Sequence, residues 1–234
     1  MPLEYGDPSR LNGRLEALAP HLDLTLSAPE RERLLAYLAL IQRWTKVYNL
    51  TAVRNTGEMF THHLLDCLAV VVPLRQGTGV VAQDSLRVLD VGSGAGLPGV
   101  ILAMLNPGWQ VTCVDAVGKK AAFIRQTAVE LALPNLQGIH GRVEADDTFK
   151  APKFDLITSR AFASLVDFTR LTRHLLAPQA QWAAMKANVS AEERAAIPAD
   201  VSMFHVEQLD VPELNENRCL VWLRPQDERH EAAN

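Results

Sequence analysis

An α/β fold with a doubly wound, mostly parallel sheet is expected from three features of the chain. Strand-length and helix-length apolar segments alternate between residues 85 and 185, a glycine-dense turn joins the first strand to the first helix, and two extended runs follow the alternation. The segments before residue 76 are helical in their spacing. Pro29 and Glu30 open a helix with Leu34, Leu35, Leu38, Ile41 and Trp44 at mostly helical intervals, and another helix is expected from about 57 to 72, with Met59, Phe60, Leu64, Leu65, Leu68 and Val71 turned inward. Residues 1–76 are therefore expected to form an N-terminal helical cap. Gln76-Gly77-Thr78-Gly79 has the composition of a linker into a second domain, 77–234. In that domain, strands are expected at 85–91, 109–114, 136–140, 154–158 and 181–185, with helices at 97–105, 119–131 and 164–176. Short right-handed crossovers make those strands parallel. Runs 201–208 and 218–224, joined by a polar turn, add a C-terminal antiparallel hairpin and bring the sheet to seven strands.

Composition narrows the function classes. A chain of 234 residues with 48% hydrophobic content can bury a large core, and at ~150 residues per domain it suits one domain with an appendage. Cys67, Cys113 and Cys219 are widely spaced and odd in number, which fits buried reduced thiols and implies neither a disulfide nor a zinc site. There is no charged segment leading into an apolar run at the N-terminus, and no uncharged apolar stretch of the ~18 residues that would span a bilayer. Cytoplasmic residence without a membrane partner is expected. The net charge of −4 argues against non-specific coating of nucleic acid, yet Arg33, Arg43, Lys46 and Arg54 lie in a stretch without acids. A local cationic face of this kind suits a site-specific RNA contact, while the plain alternative is a solvated helix face.

Chemistry concentrates in residues 88–100, Val-Leu-Asp-Val-Gly-Ser-Gly-Ala-Gly-Leu-Pro-Gly-Val. Gly92, Gly94, Gly96 and Gly99 let the backbone approach a ligand where a Cβ would collide, and Pro98 stands where a helix begins and aims its positive end over the turn. Gly94, Gly96 and Gly99 satisfy the dinucleotide fingerprint G-x-G-x-x-G, which is weak evidence alone. Asp90, Gly92, Gly94 and Gly96 give the tighter D-x-G-x-G-x-G of S-adenosylmethionine (SAM) enzymes. Asp115 ends the second strand roughly 20 residues on, where a carboxylate accepts from ribose hydroxyls of either cofactor. Gly141-Arg142-Val143-Glu144, after the third strand, is the turn from which SAM enzymes commonly hold adenine. The arrangement matches the Rossmann-like, seven-stranded sheet of SAM-dependent methyltransferases.

Several motifs in register carry a more specific likeness. Residues 44–51 (Trp-Thr-Lys-Val-Tyr-Asn-Leu-Thr), 63–66 (His-Leu-Leu-Asp), 90–99, 142–144 and 159–163 (Ser-Arg-Ala-Phe-Ala) together resemble the bacterial small-subunit ribosomal RNA guanine-N7 methyltransferases, the glucose-inhibited division protein B family. The likeness runs from about residue 25 to 225. It implies cofactor contacts from Gly92, Gly94, Gly96, Leu97, Asp115, Val143 and Glu144, and it places Arg160 near both SAM and the target base. Lys186 is a weaker second candidate, because the family's frequent Lys-Gly is here Lys186-Ala187. Ala116 stands where the family often has Ser, and Asp66-Cys67 where it often has Asp-Ser. Arg43, Lys46, Asn49, Arg54 and His63 are the candidate RNA contacts. The implied partner is 16S ribosomal RNA or the small ribosomal subunit, bound by a monomer.

Guanine N7 has an in-plane lone pair and no proton, so methylation there needs positioning and no general base. An arginine that reads guanine through O6 and N7 is confined here to O6, since N7 has to stay free to react. Arg160, just after the fourth strand, has the reach; its duller reading is an ion pair with Asp155. Likewise, Asp115 reads as a cap for the next helix and Glu144 as an exposed turn acid. His62 and His63 point to different helix faces and do not form a metal pair, so no metal is expected. Two other classes stay open at this point: an NAD-linked oxidoreductase, which lacks a second substrate domain and a hydride-partner motif here, and a non-catalytic ribosome or RNA-binding module on a methyltransferase fold.

Overall fold

The computed structural model describes residues 8–144, 153–160, 162 and 164–226. Its first third is helical, and local side chains explain where two of its helices begin. After α1 (Pro8–Leu18) and a 3-10 turn (Ala19–Leu22), Ser27 and Glu30 form a reciprocal capping box that starts α2 (Ala28–Tyr48). Asn49 ends α2 in a left-handed conformation, φ 51°. Asn55 Oδ1 then accepts from Gly57 N (2.8 Å) and Glu58 N (3.2 Å) to start α3 (Thr56–Met59).

The helix expected at 57–72 is broken into pieces. A π-helical segment (Phe60–Leu65) follows α3, then α4 (Asp66–Leu68), a turn at Ala69 and Val70, and α5 (Val71–Thr78). The expected linker is also corrected, because Gln76, Gly77 and Thr78 are the last turn of α5 and only Gly79 lies beyond it, as the left-handed cap. Gly77 is a site of close approach: a Cβ there would stand 2.2 Å from Trp222 Cζ2.

From residue 86 strands and helices alternate. They run β1 (Leu86–Val91), α6 (Gly99–Leu105), β2 (Trp109–Asp115), α7 (Gly118–Glu130), β3 (Leu136–His140), β4 (Phe154–Ser159), α8 (Leu165–Thr172), β5 (Leu176–Lys186), α9 (Ala191–Ala195), β6 (Val201–Leu209) and β7 (Arg218–Pro225). The strand order is β3-β2-β1-β4-β5-β7-β6. β1 to β5 pair in parallel, and β7 is antiparallel to both β5 and β6, so the terminal hairpin closes one edge as expected. β5 begins five residues earlier than its 181–185 expectation, since a 3-10 turn (Arg173–Leu175) ends the preceding helix sooner.

Period-two alternation sends successive strand residues to opposite faces. Val88, Leu156 and Ala183 enter an apolar cluster that also holds Leu34, Leu38, Phe60 and Leu64 of the cap, together with Val100 and Phe123. Leu89, Ile157 and Trp182 enter a second cluster with Phe168 of α8. The helical cap and one face of the sheet therefore share a single core. Among the described residues, no helix is long and apolar enough to cross a membrane.

Candidate active site

In the strand order the chain runs outward from β1 through β2 to β3, then returns to β4 on the other side of β1. Such a reversal opens a crevice beyond the carboxyl ends of the strands, the usual ligand position in open α/β sheets. The turn after β1, Asp115 at the end of β2, the turn after β3 and Arg160 after β4 all lie on that rim, because Val91 pairs with Val114, Asp115 with His140 and Asp90 with Thr158. Ser159 Oγ donates to Val91 O at 2.8 Å, tying the end of β4 to the start of the glycine turn.

Within the turn, Gly92 and Gly94 have φ of 65° and 59°, and no described atom lies within 4 Å of where their Cβ atoms would stand. Gly96 and Gly99 are instead closed off. A Cβ at Gly96 would be 2.4 Å from Val100 Cγ2, and one at Gly99 would be 2.3 Å from Cys113 Sγ and 2.9 Å from Asp90 Oδ2. The Tyr37 hydroxyl of α2 donates to Ala95 O at 2.6 Å, so the cap braces the turn from outside. Sequence reasoning missed Tyr37, whose contact spans fifty-eight positions and leaves no local signature.

Asp90 lies wholly buried beneath the turn. Its Oδ2 accepts from Gly99 N (2.9 Å), while Oδ1 has no described partner. Burial pushes the carboxyl up to about 7, against the Gly99 N–H and the Arg160 charge, which both favour ionisation. Asp115 is buried too, and it does brace the start of α7: Oδ1 accepts from Val117 N (2.8 Å), Oδ2 from Gly94 N (3.0 Å), and Lys120 Nζ is 3.7 Å away. A carboxylate offers about four lone-pair sites, so the capping role leaves acceptor capacity on the rim. Val143 is buried in the second cluster, and Glu144 is exposed, 3.5 Å from Arg142 Nη1. Leu97 is buried in the first cluster. An open backbone cradle, an unpaired buried carboxylate oxygen and a carboxylate with spare lone pairs fit a nucleoside carrying a cationic amino-acid arm, which is the shape of SAM.

Arg160 does not pair with Asp155. That carboxylate is taken by Arg87, Nη2 to Oδ1 at 2.8 Å. Arg160 Nη1 instead donates to His62 O (2.8 Å) and lies 3.4 Å from Asp66 Oδ2. Ala161 and Ala163 of the same motif lie outside the described residues. Lys186 is held by Glu193 Oε1 at 2.5 Å, and the same oxygen accepts from Leu165 N at 3.2 Å, which ties Lys186 to the start of α8.

The candidate RNA contacts divide. Arg43, Lys46, Asn49 and Arg54 are exposed on the last turns of α2 and the loop beyond; Arg43 meets Glu130 at 3.1 Å, and Arg54 Nη2 donates to Asn49 Oδ1 at 2.6 Å. His63 is corrected. It is 5% exposed, and its Nε2 is 2.9 Å from Thr51 Oγ1, so it packs the cap and offers no surface to RNA. Burial foremost, and the Arg160 charge next, lower its pKa to about 4. The three cysteines are buried and unpaired.

Comparison with known proteins gives a consistent outcome. A family model, GidB, described as rRNA small subunit methyltransferase G, matches residues 30–221. Ribosomal RNA small subunit methyltransferase G of Acidovorax sp. (strain JS42) is 56% identical over 209 residues, covering 87% of this chain and 91% of its own. The protein of that name from Methylibium petroleiphilum is 52% identical over 217 residues, 93% of this chain and 96% of its own. Among solved structures, TrmN from Thermus thermophilus superposes with a TM-score of 0.55 at 17% identity, covering 94% of this chain and 79% of that one. A mutant of MtNAS in complex with S-adenosylmethionine gives 0.58 at 14% identity, covering 94% and 80%. The two solved structures share the fold with this chain.

Proposed function

Because the chain belongs to the GidB family, rRNA small subunit methyltransferase G, we propose that it transfers the methyl group of S-adenosylmethionine to N7 of a guanine in 16S ribosomal RNA. The observation that carries this reading is the open cradle at Gly92 and Gly94, set between Asp115 and Arg160 at the sheet reversal. SAM supplies a methyl carbon already activated on a sulfonium. The N7 lone pair forms the new N–C bond, the C–S electron pair returns to sulfur, and the products are S-adenosylhomocysteine and a cationic 7-methylguanine. No proton moves, so the side chains have to bind and align.

In this reading the backbone at Gly92 and Gly94 lies against the cofactor, Asp115 accepts from its ribose, and Val143 and Glu144 flank its adenine. Arg160 is held through Nη1, and its Nε and Nη2 have no partner among the described residues. Those donors suit guanine O6 and leave N7 open for the methyl group. The guanine has to be unstacked to enter the crevice, at a cost of a few kcal/mol. Arg43, Lys46, Asn49 and Arg54 form an exposed, mainly basic end of α2 that suits the RNA backbone on the approach. We place the enzyme in the cytoplasm, acting as a monomer.

Transfer of tritiated methyl from SAM to small-subunit rRNA, with mass mapping of 7-methylguanosine, tests the assignment. Arg160→Ala is expected to slow turnover about 100-fold, the scale of a lost positioning contact. The fold should survive, because Asp66 Oδ1 keeps Arg218 as its partner. Wild-type turnover in Arg160→Ala would remove the residue from the site. Calorimetry showing micromolar NAD binding without SAM binding would overturn the enzyme class.

A further inference from the structure

Between α3 and α4 the cap is π-helical, and that place holds Arg160. In an α-helix the carbonyl of His62 accepts from the N–H of Asp66, four residues on. Here Asp66 N–H donates to Thr61 O, five residues back, as the π-helical segment ends. Arg160 Nη1 takes the place of that helical donor and bonds His62 O at 2.8 Å. The same nitrogen is 3.4 Å from Oδ2 of Asp66, the first residue after the π turn. Single π turns occur frequently at functional sites, since they release a backbone group from the helix ladder for other use.

Asp66 has a side chain only 4% exposed, so its charge has to be balanced within the protein. Two guanidinium groups do this. Arg160 faces Oδ2, and Arg218 Nε donates to Oδ1 at 3.0 Å. Arg218 opens β7 where that strand pairs with the carboxyl end of β5, so the network joins the cap, the loop after β4 and the hairpin along one rim. A long arginine side chain on a loop has many rotamers, and two acceptors on a single nitrogen remove most of them before any substrate arrives.

We infer that the π turn and Asp66 form a seat that pre-sets the Arg160 guanidinium for methyl transfer, with Asp66 as a positioning residue that acts through Arg160. The inference rests on the role given to Arg160 above. It differs from a merely structural clasp between cap and sheet, because a clasp would lower stability and activity whatever residue stands at 160.

A double-mutant cycle on the full chain separates the two. Wild type, Asp66→Asn, Asp66→Glu, Arg160→Ala and the two doubles that combine Arg160→Ala with an Asp66 change are assayed for kcat and KM in tritium transfer to small-subunit rRNA. Melting temperature is measured for each. Asp66→Asn is expected to lower kcat about 10- to 100-fold with KM for rRNA nearly unchanged. Asp66→Glu, which keeps the charge on a longer arm, should recover part of that loss. In the Arg160→Ala background, Asp66→Asn should add no more than about a twofold change, the margin within which independent effects are told apart. Should Asp66→Asn fail to fold, Asp66→Glu carries the same cycle. A full multiplicative loss on top of Arg160→Ala would overturn the inference, as would wild-type kcat in Asp66→Asn beside a slow Arg160→Ala. If Arg160→Ala itself turns over like wild type, the reading of Arg160 fails first and this inference goes with it.

Discussion

Gly92 and Gly94, at the start of the turn after β1, carry the same sequence signal as Gly96 and Gly99 at its end, yet the two pairs do opposite things. The first pair faces open space, and the second is pressed against Val100, Cys113 and Asp90. Lack of a side chain leaves bare backbone in one half, where we propose that the cofactor lies, and lets the protein's own core close up in the other. A glycine-rich motif is therefore two devices in sequence: a bare backbone ledge, and behind it a close contact that lets α6 pack on the floor of the sheet. Both are needed, because the ledge keeps its shape only if the helix after it is drawn down to β1 and β2.

Substitution by alanine reads the difference directly, and the largest effect is expected in the packed half. Gly99→Ala would drive a methyl into Cys113 Sγ and disturb the N–H bond to Asp90 Oδ2. Overpacking and loss of a bond to a buried carboxylate together are expected to cost about 3–6 kcal/mol, enough to abolish folding in a marginal domain. Gly94→Ala meets no described atom and bears only the strain of its positive φ, about 1–2 kcal/mol. The folded Gly94→Ala protein should nevertheless bind SAM about 10-fold more weakly or worse, a change of about 1.4 kcal/mol or more. Urea unfolding and SAM calorimetry on the pair check this. Equal stability losses with unchanged SAM affinity in Gly94→Ala would erase the distinction between the halves.

The same comparison explains what was legible in the sequence. Where one segment carries both the signal and its cause, the expectation held: the strand periodicity and the terminal hairpin depend on residues close in the chain, whereas Gly96 and Gly99, expected with Gly92 and Gly94 to face a ligand, are closed off by Val100, Cys113 and Asp90. Where the cause is remote, it failed. Gly77 looks like a linker glycine because its partner, Trp222, enters only when β7 joins the sheet. The π turn leaves no mark on the apolar pattern of residues 57–72, since Phe60, Leu64 and Leu65 stay inward through it. The plain alternative for Arg160, an ion pair with Asp155 five positions away, falls because Arg87 reaches that carboxylate across the β1–β4 pair, and Arg160 turns to a carboxylate ninety-four positions earlier. His63 read as a surface residue from its motif, whereas Thr51 and burial draw it inward.

Asp90 offers a second way to test the packed half. Its carboxyl is pushed up to about 7 by burial, from an ordinary value of 3.8. The folded protein thus holds more of this proton than the unfolded chain between those values, so stability falls as pH rises from about 4 through about 7. Asp90→Asn removes that slope. The variant's stability relative to wild type should grow by something of the order of 4 kcal/mol between about pH 4 and about pH 8. Urea unfolding midpoints across that range measure it. A wild type whose contribution from this residue is flat with pH would mean that water reaches Asp90, and that the packed half is as open as the ledge.

His63 extends the test to the π-helical segment, with the opposite sign and a smaller size. Burial and the Arg160 charge lower its pKa to about 4 from 6.5, so the folded protein binds less of this proton than the unfolded chain between those values. Its contribution is complete above about 6.5 and is lost as pH falls toward about 4, some 3 kcal/mol in all. His63→Gln, which cannot take up a proton in this range, should flatten that acid-side loss while leaving the Asp90 slope in place. Unfolding midpoints of the single and double variants resolve the two contributions, because they run in opposite directions over the shared interval. If His63→Gln leaves the acid limb unchanged, the segment is hydrated in the folded state, and the helix turn that holds Arg160 is as loosely covered as the ledge at Gly94.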